Sequence, residues 1–377
     1  MTTILVEMRS AFLYCENKIF GLNKQLIYDK IKITYTAKDD KYMEIEQIKM
    51  LLKHNWSIDV ENVIWLPQST ASCLKIETKN KAYFMKIFQS SYHENRAVLE
   101  YDVCKTLCEN GLPVANIIPT NSNQPYILFD KQIIQLQDFE VGLTPKLNSL
   151  SKTMLCEAAE YLGKIHFVLK EKDLPILFDH VWLNKFDEIA YNSFYLETLN
   201  IAEKSYIPDI QKKKICDDLL FLIEFTKDMS SLSSYFDGIT YTASHGDYLP
   251  SQLICNDQKI QKIIDFANAH NVPIVLELMR FYWMASIECK TPEFFEINTF
   301  MKYLNSYMKH YPLTKIELRS MPYIYLYYMG RNRFVYREYL RTGNSCFFQE
   351  SFWRVDVIRY LYKNADCISA QLGGLIF

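Results

Sequence analysis

Two aspartates flank a predicted β-hairpin in the segment 244–266, which reads SHGDYLPSQLICNDQKIQKIIDF. Asp247 precedes the hairpin, and Asp265 follows its second strand. Acids in these two places can reach one cleft, where one orients a nucleophilic hydroxyl and the other holds Mg²⁺ on phosphates. Phosphoryl transfer needs this combination, because its catalysis is mostly positioning and neutralisation of phosphate charge. The alternatives are an Asp247 that caps a turn and an Asp265 that ends a strand.

A lysine stands inside an otherwise apolar strand-like stretch, Tyr83 to Phe88. The ammonium of Lys86 is costly to bury unless it meets an anion. Glu100 follows fourteen positions later in a predicted helix and can be its ion-pair partner. The alternatives are a lysine that keeps its charged end in water and a solvated helix glutamate.

The elements that carry these residues change character along the chain. Helical periodicity covers 44–54 and 95–110, and strand-like stretches cover 60–66, 73–77, 82–88, 126–129 and 132–136. From about residue 149 to 372 the pattern is mostly helical. An antiparallel sheet followed by segregated helices predicts an α+β fold. The predicted divisions are an N-terminal extension and leading helix (1–54), a nucleotide-binding lobe (55–140) and a helical catalytic lobe (141–377).

The composition excludes several classes of protein. The chain has 377 residues, 49% of them hydrophobic, and a formal net charge of -2. These values favour a globular protein and give no reason to expect nucleic acid or an anionic membrane as a partner. The ten cysteines form no CxxC pair and no zinc-ligand spacing, and no apolar run has the length of a membrane span. We therefore predict a cytoplasmic protein.

The two acidic loops also resemble those of a known family. The sequence H-G-D, a polar amide five residues later and then I-D-F are similar to the catalytic and metal loops of aminoglycoside phosphotransferases. These enzymes share a bilobal, protein-kinase-like fold with choline kinases, and the arrangement is most similar to the spore-coat kinase-like branch. The resemblance implies that Asp247 is the catalytic base, that Asp265 and Gln252 bind Mg²⁺, and that Glu277 and Arg280 are structural.

The resemblance extends over residues 55–285 and implies a nucleotide site. Lys86 would hold the α- and β-phosphates, and Glu100 would orient it. The loop 67–72 contains Ser69 and Thr70, hydroxyl residues of the kind that such phosphate loops carry. The segment 135–142 (QLQDFEVG), with Gln137 and Phe139, is similar to the connector that receives the nucleotide base.

The function implied is an ATP- or GTP-dependent O-phosphotransferase that acts on the hydroxyl of a small molecule. Gln252 departs from the asparagine usual at its position, and Mg²⁺ demands near-ideal octahedral geometry at about 2.1 Å. A kinase-like pseudoenzyme that serves as a binding or structural module is therefore the alternative. A protein kinase is disfavoured, because the sequence has no H-R-D and no A-P-E motif.

Overall fold

A computed structural model describes residues 43–66, 71–88, 92–172, 186–331 and 336–375. The chain forms two compact units. The first runs to Thr144 and also includes Gln252–Ala269, and the second consists of Pro145–Ser251 and His270–Phe377. Most of the predicted N-terminal extension, residues 1–42, lies outside the described residues.

The first unit contains two α-helices and seven strands among the described residues. They are α1 (Ile45–Trp56), β1 (Asn62–Leu66), β2 (Ser72–Glu77), β3 (Ala82–Ile87), α2 (Glu94–Glu109), β4 (Ile127–Phe129), β5 (Gln132–Asp138), β7 (Leu253–Asn256) and β8 (Lys259–Ile263). The first five strands form an antiparallel sheet with the order β1-β2-β3-β5-β4. The predicted helices and strands of this region are confirmed to within a few residues.

The two faces of this sheet bury different helices. Leu74, Met85 and Leu136 pack in one apolar cluster with α1, whereas Cys73 and Ile133 pack in another with Ala97 of α2. Neighbouring residues of a strand point to opposite faces. Lys86, between the buried Met85 and Ile87, therefore points to the face that α2 covers.

The hairpin formed by β7 and β8 belongs to the first unit because its backbone bonds to that unit. Ile263 N–H donates to the Pro113 carbonyl at 2.7 Å, and Leu143 and Cys255 exchange two bonds of 3.0 and 2.9 Å. Asp257 and Gln258 both have positive φ, at 45° and 63°. This two-residue turn pairs Asn256 with Lys259, so β8 begins three residues earlier than predicted.

The second unit is mostly helical. Its elements are α3 (Lys152–Leu169), α4 (Glu188–Lys204), α5 (Asp209–Leu232), β6 (Tyr241–Ser244), β9 (His270–Pro273), α6 (Ile274–Ala285), α7 (Ile297–Met308), α8 (Lys315–Gly330), α9 (Arg337–Thr342) and α10 (Ser345–Leu372). Helix α3 packs on α7, α4 on α5, and α8 on α6 and α10. Strand β9, which the sequence did not predict, pairs antiparallel with β6.

Buried aromatic residues fill the core of the second unit. The rings of Trp283 and Phe295 stack with centroids 5.1 Å apart, and Tyr325 on α8 lies against Trp283 at 6.3 Å. Tyr325 and Tyr327 of α8 are both buried. Within the described ranges, no helix is both long and apolar enough to span a membrane.

Candidate functional site

Asp265 lies just beyond the end of β8, in an uncommon backbone conformation. Its φ and ψ are 67° and 59°, in the left-handed region, and the 3-10 turn Phe266–Asn268 follows directly. Ile264 N–H donates to the Gln252 carbonyl oxygen at 2.9 Å. The hairpin therefore brings the two residues predicted to bind metal to the same end of β7 and β8.

Lys86 lies between two carboxylates of the first unit. Its Nζ is 2.7 Å from Asp265 Oδ1 and 3.3 and 3.4 Å from the two oxygens of Glu100. Lys86 is 7% exposed and Glu100 is 1% exposed, whereas the side chain of Asp265 is 33% exposed. The prediction that Glu100 is the partner of Lys86 is confirmed as a contact. The contact with Asp265 was not predicted.

Opposing effects act on the pKa values of this cluster. Burial opposes the charge of Lys86, but the carboxylates of Asp265 and Glu100 hold its pKa well above the ordinary lysine value. Burial raises the pKa of Glu100, and the ammonium of Lys86 opposes that rise. Because a buried lysine without such partners would lose its proton, the two carboxylates keep a positive charge at this point.

Two residues that contact the turn after Asp265, Tyr92 and Arg96, were not predicted from the sequence. Arg96 Nη2 donates to Asn268 Oδ1 at 3.0 Å, and Tyr92 donates to the Ala267 carbonyl at 3.5 Å. Arg96 and Glu100 are four residues apart on α2, a spacing that places both on one helix face. This spacing could have indicated that Arg96 lies on the same side of α2 as Glu100, but it could not have identified Asn268 as the partner of Arg96.

The other residues predicted to bind the nucleotide are Gln137, Phe139, Ser69 and Thr70, and the structure describes only the first two. Gln137 is buried in β5 opposite Phe84, and the Phe139 N–H donates to the Ala82 carbonyl at 3.4 Å. Lys75 Nζ lies 5.1 Å from the centre of the Phe139 ring. Ser69 and Thr70 lie outside the described residues, so their role stays a prediction.

Asp247 is held by an arginine in the second unit. Arg280 Nη2 of α6 donates to Asp247 Oδ1 at 2.7 Å, and each side chain is 12% exposed. The preceding Gly246 has a φ of 76°, a conformation that glycine adopts without a steric penalty. The Asp247 N–H donates to His245 Nδ1 at 3.3 Å. The carboxylate is thus oriented by the side chain of Arg280 and by the backbone of its own loop.

Buried polar residues of α6 and α3 hold the loop that carries Asp247. Glu277 of α6 accepts hydrogen bonds from the Gly246 N–H, at 2.9 Å, and from the Ser244 hydroxyl. His166 of α3 has its Nε2 3.2 Å from the same Glu277 carboxylate and its Nδ1 2.7 Å from the Tyr307 hydroxyl. His166 is fully buried.

The charge of Glu277 is stabilised by these neighbours. Burial alone would raise the pKa of Glu277, but its interaction with His166 and the hydrogen bond from Ser244 outweigh burial and lower this pKa to about 2. An ionised carboxylate here strengthens the bond from the Gly246 N–H. The loop that carries Asp247 is therefore tied to α6 at two consecutive residues.

The residues at the end of the hairpin suit a hard cation. Mg²⁺ takes oxygen ligands, and proteins commonly bind it through one or two carboxylates together with phosphates and water. Asp265 supplies a carboxylate and Gln252 an amide oxygen, and the carboxylate already attracts the Lys86 ammonium. Among the described residues, no group of three or more His, Cys, Asp or Glu side chains is arranged to hold a metal ion. One carboxylate and one amide oxygen are donors of the kind that Mg²⁺ accepts together with phosphates and water.

Comparisons with solved structures show where this fold occurs. An aminoglycoside phosphotransferase from Alicyclobacillus acidocaldarius is similar with a TM-score of 0.64 and 14% identity over 90% of this chain and 99% of the other. A spectinomycin phosphotransferase, solved with ADP and spectinomycin, has a TM-score of 0.58 and 15% identity over 89% and 100%. A microcompartment-associated aminopropanol kinase has a TM-score of 0.56 and 12% identity over 87% and 100%.

These likenesses confirm the predicted α+β, kinase-like fold. No curated protein sequence matches this chain. The model of one protein family, described as the phosphotransferase enzyme family, matches residues 68–296, which is more than half of the chain and contains every described candidate residue. The chain therefore belongs to the phosphotransferase enzyme family.

Proposed function

We propose that this protein transfers the γ-phosphate of a nucleoside triphosphate, ATP or GTP, to a hydroxyl of a small molecule. The observation that carries the proposal is the buried ammonium of Lys86 between Glu100 and Asp265. A protonated lysine beside a partly exposed carboxylate offers charges of both signs, one for phosphate oxygens and one for the cation that accompanies them. Membership of the phosphotransferase enzyme family supports this reading.

In this proposal, the first unit binds the donor. Lys86 contacts the α- and β-phosphates, and Glu100 keeps its ammonium in place. Asp265 and Gln252 hold Mg²⁺, which when bound neutralises phosphate charge. Ser69 and Thr70 contribute hydroxyls to the phosphates. Spectinomycin phosphotransferase has been solved with ADP, which supports a nucleotide donor in this fold.

The nucleotide base is proposed to lie against the connector that contains Gln137 and Phe139. Because the Phe139 N–H already donates to the Ala82 carbonyl, the groups that Phe139 can offer a base are its own carbonyl and its ring. A nucleotide-dependent enzyme of this kind would work in the cytoplasm, where its donor is available.

Asp247 is proposed to be the catalytic base. The acceptor hydroxyl oxygen attacks the γ-phosphorus, the bond from that phosphorus to the β-bridging oxygen breaks, and the nucleoside diphosphate leaves. The hydroxyl proton passes to the carboxylate of Asp247 and from there to solvent. Arg280 and the Gly246–Glu277 bond keep the carboxylate in one orientation during this step, which supports positioning as the main contribution of the loop.

Calorimetric titration with ATP and with GTP, each with and without Mg²⁺, tests the proposal. Binding of one nucleotide that strengthens with Mg²⁺ is expected, and that nucleotide then serves in a screen of amino alcohols, sugars and aminoglycosides as acceptors. A Lys86→Met variant is the control for binding through the phosphates, because it removes only the ammonium. The absence of binding by both nucleotides under both conditions would reject the proposed function and favour a pseudoenzyme.

A further inference from the structure

We propose that Tyr92 and Arg96, named here the α2 clamp, position the metal ligand Asp265 by holding the turn that follows it. Tyr92 lies just before α2, and Arg96 lies in the first turn of that helix. The inference rests on the proposed role of Asp265 as a Mg²⁺ ligand. Tyr92 and Arg96 are positioning residues in this account, because they act on the metal ligand through the backbone that follows it.

The backbone of Asp265 needs support from its surroundings. Its φ of 67° lies in the left-handed region, which a residue with a Cβ adopts only at a cost in free energy. Such conformations persist where neighbouring contacts over-determine them, and they concentrate at functional sites. The residues that hold the segment after Asp265 therefore determine where its carboxylate points.

Both members of the α2 clamp contact that segment directly. Arg96 Nη2 donates to Asn268 Oδ1 at 3.0 Å, and the Tyr92 hydroxyl donates to the Ala267 carbonyl at 3.5 Å. Ala267 and Asn268 are two of the three residues of the 3-10 turn, which closes when the Ala269 N–H donates to the Phe266 carbonyl. A hydrogen bond from a guanidinium is stronger than one between neutral groups. Arg96 thus ties the turn to α2 through a charge-assisted hydrogen bond.

The guanidinium of Arg96 is itself held in place. It lies 5.0 Å from the centre of the Tyr92 ring, and Tyr92 stacks on Phe88 with ring centroids 4.1 Å apart and 18° between the planes. The ammonium of Lys86 lies 4.7 Å from the centre of the Phe88 ring. Two cations and two aromatic rings therefore form one continuous stack beside Asp265, in which each member limits the movement of the next.

Helix α2 consequently reaches the metal loop at two separate points. Glu100 holds Lys86, which bonds the side chain of Asp265, whereas Arg96 holds Asn268, three residues further along the chain. Because Arg96 and Glu100 are one helical turn apart, a rotation or shift of α2 moves both contacts together. The α2 clamp therefore couples the position of α2 to the geometry of Asp265 through Asn268, in addition to the coupling through the Lys86–Asp265 contact.

Hydrogen–deuterium exchange of the full chain tests the clamp without using its activity. The variants are Arg96→Met, Arg96→Lys and Asn268→Ala, and the readout is the exchange rate of amides in the segment 264–270. Arg96→Met and Asn268→Ala are each expected to raise that rate about tenfold, because a charge-assisted hydrogen bond is lost. The double variant is expected to exchange no faster than either single variant, and Arg96→Lys is expected to restore part of the protection.

A second measurement follows Mg²⁺ in the same variants. Arg96→Met is expected to weaken the Mg²⁺-dependent part of nucleotide binding about tenfold while it leaves metal-free nucleotide binding within about twofold. Arg337→Met is the matched control, because Arg337 also lies over an aromatic ring, Phe194, and pairs with an acidic residue, Glu197, but in the second unit. The control is expected to change neither readout.

The outcomes separate the clamp from the proposed function. Unchanged exchange at 264–270 in Arg96→Met and Asn268→Ala would overturn the clamp, since the buried Phe266 would then suffice to hold the turn. If Arg96→Met does not fold, Asn268→Ala decides the question alone, because it removes only the acceptor. If the wild-type protein binds no nucleotide with Mg²⁺, the proposed function fails, and the exchange rates still decide whether the clamp exists.

Discussion

Replacing Glu277 with glutamine should remove a pH-dependent part of the protein's stability. Glu277 is buried, and its pKa falls from 4.5 to about 2 in the folded chain because His166 and Ser244 stabilise its charge against the effect of burial. A depression of about 2.5 in pKa corresponds to about 3 kcal/mol of stability, at 1.36 kcal/mol for each pKa unit. Glutamine keeps the shape of the side chain and an acceptor for the Gly246 N–H, but it carries no charge.

The direction of the pH dependence follows from the depressed pKa. A carboxyl group with a lower pKa in the folded than in the unfolded chain stabilises the fold above its unfolded pKa, and this contribution is lost as the pH falls through the folded pKa. For Glu277 the window runs from about pH 4.5 to about pH 2. Part of the contribution, about 1 kcal/mol, is already lost at pH 3.5.

Urea unfolding of the wild type and of Glu277→Gln at pH 7 and pH 3.5 measures this contribution. We expect the variant to be less stable than the wild type by about 3 kcal/mol at pH 7, and this difference to shrink by about 1 kcal/mol at pH 3.5. Glu46→Gln is the control, because Glu46 forms an exposed pair with Lys49. A gap that stays the same at both pH values would refute the reasoning, since Glu277 would then not titrate differently in the folded and unfolded chains.

Three further substitutions test the proposed roles in catalysis and metal binding. Asp247→Ala is expected to lower the rate of phosphate transfer about a thousandfold and to leave nucleotide affinity nearly unchanged. A turnover assay measures the rate, and calorimetry measures the affinity. Turnover like that of the wild type would contradict the assignment of Asp247 as the catalytic base. Asp265→Ala is expected to weaken nucleotide binding about tenfold or more with Mg²⁺ present and little in its absence, because it removes the carboxylate ligand. Gln252→Asn is expected to change Mg²⁺-dependent affinity by less than about threefold, whereas a large gain would indicate a site that has drifted from function.

Local pattern predicted the elements of the first unit well. Strand-like composition gave β1, β2, β3 and β5, and a period near 3.6 gave α1 and α2, because both signals are local in the sequence. The four-residue strand β9 was missed. A strand so short carries little alternation of its own, and it forms because β6 offers it a partner.

The candidate site could be predicted only as far as single residues. The positions of Asp247 and Asp265 around the hairpin pointed to phosphoryl transfer from residue types and spacing, whereas the phosphate-binding role of Lys86 was implied by the family resemblance. The contacts of Arg280 with Asp247 and of Arg96 with Asn268 were not predicted, because nothing in a linear sequence specifies which arginine meets which acceptor. The buried assembly of His166, Ser244 and Glu277 joins residues from three elements, so the contacts among them were not predicted either.

The sequence by itself determined the family, the order of the elements and the residue types available for chemistry, because these depend on local periodicity and on motifs within a few positions. Only the tertiary structure decided which charges neutralise one another. Lys86 and Asp265 are 179 positions apart, yet their side chains lie 2.7 Å from each other. A buried charge must find its partner wherever the packed chain places one, since the cost of leaving it unpaired depends on distance in space and not along the sequence.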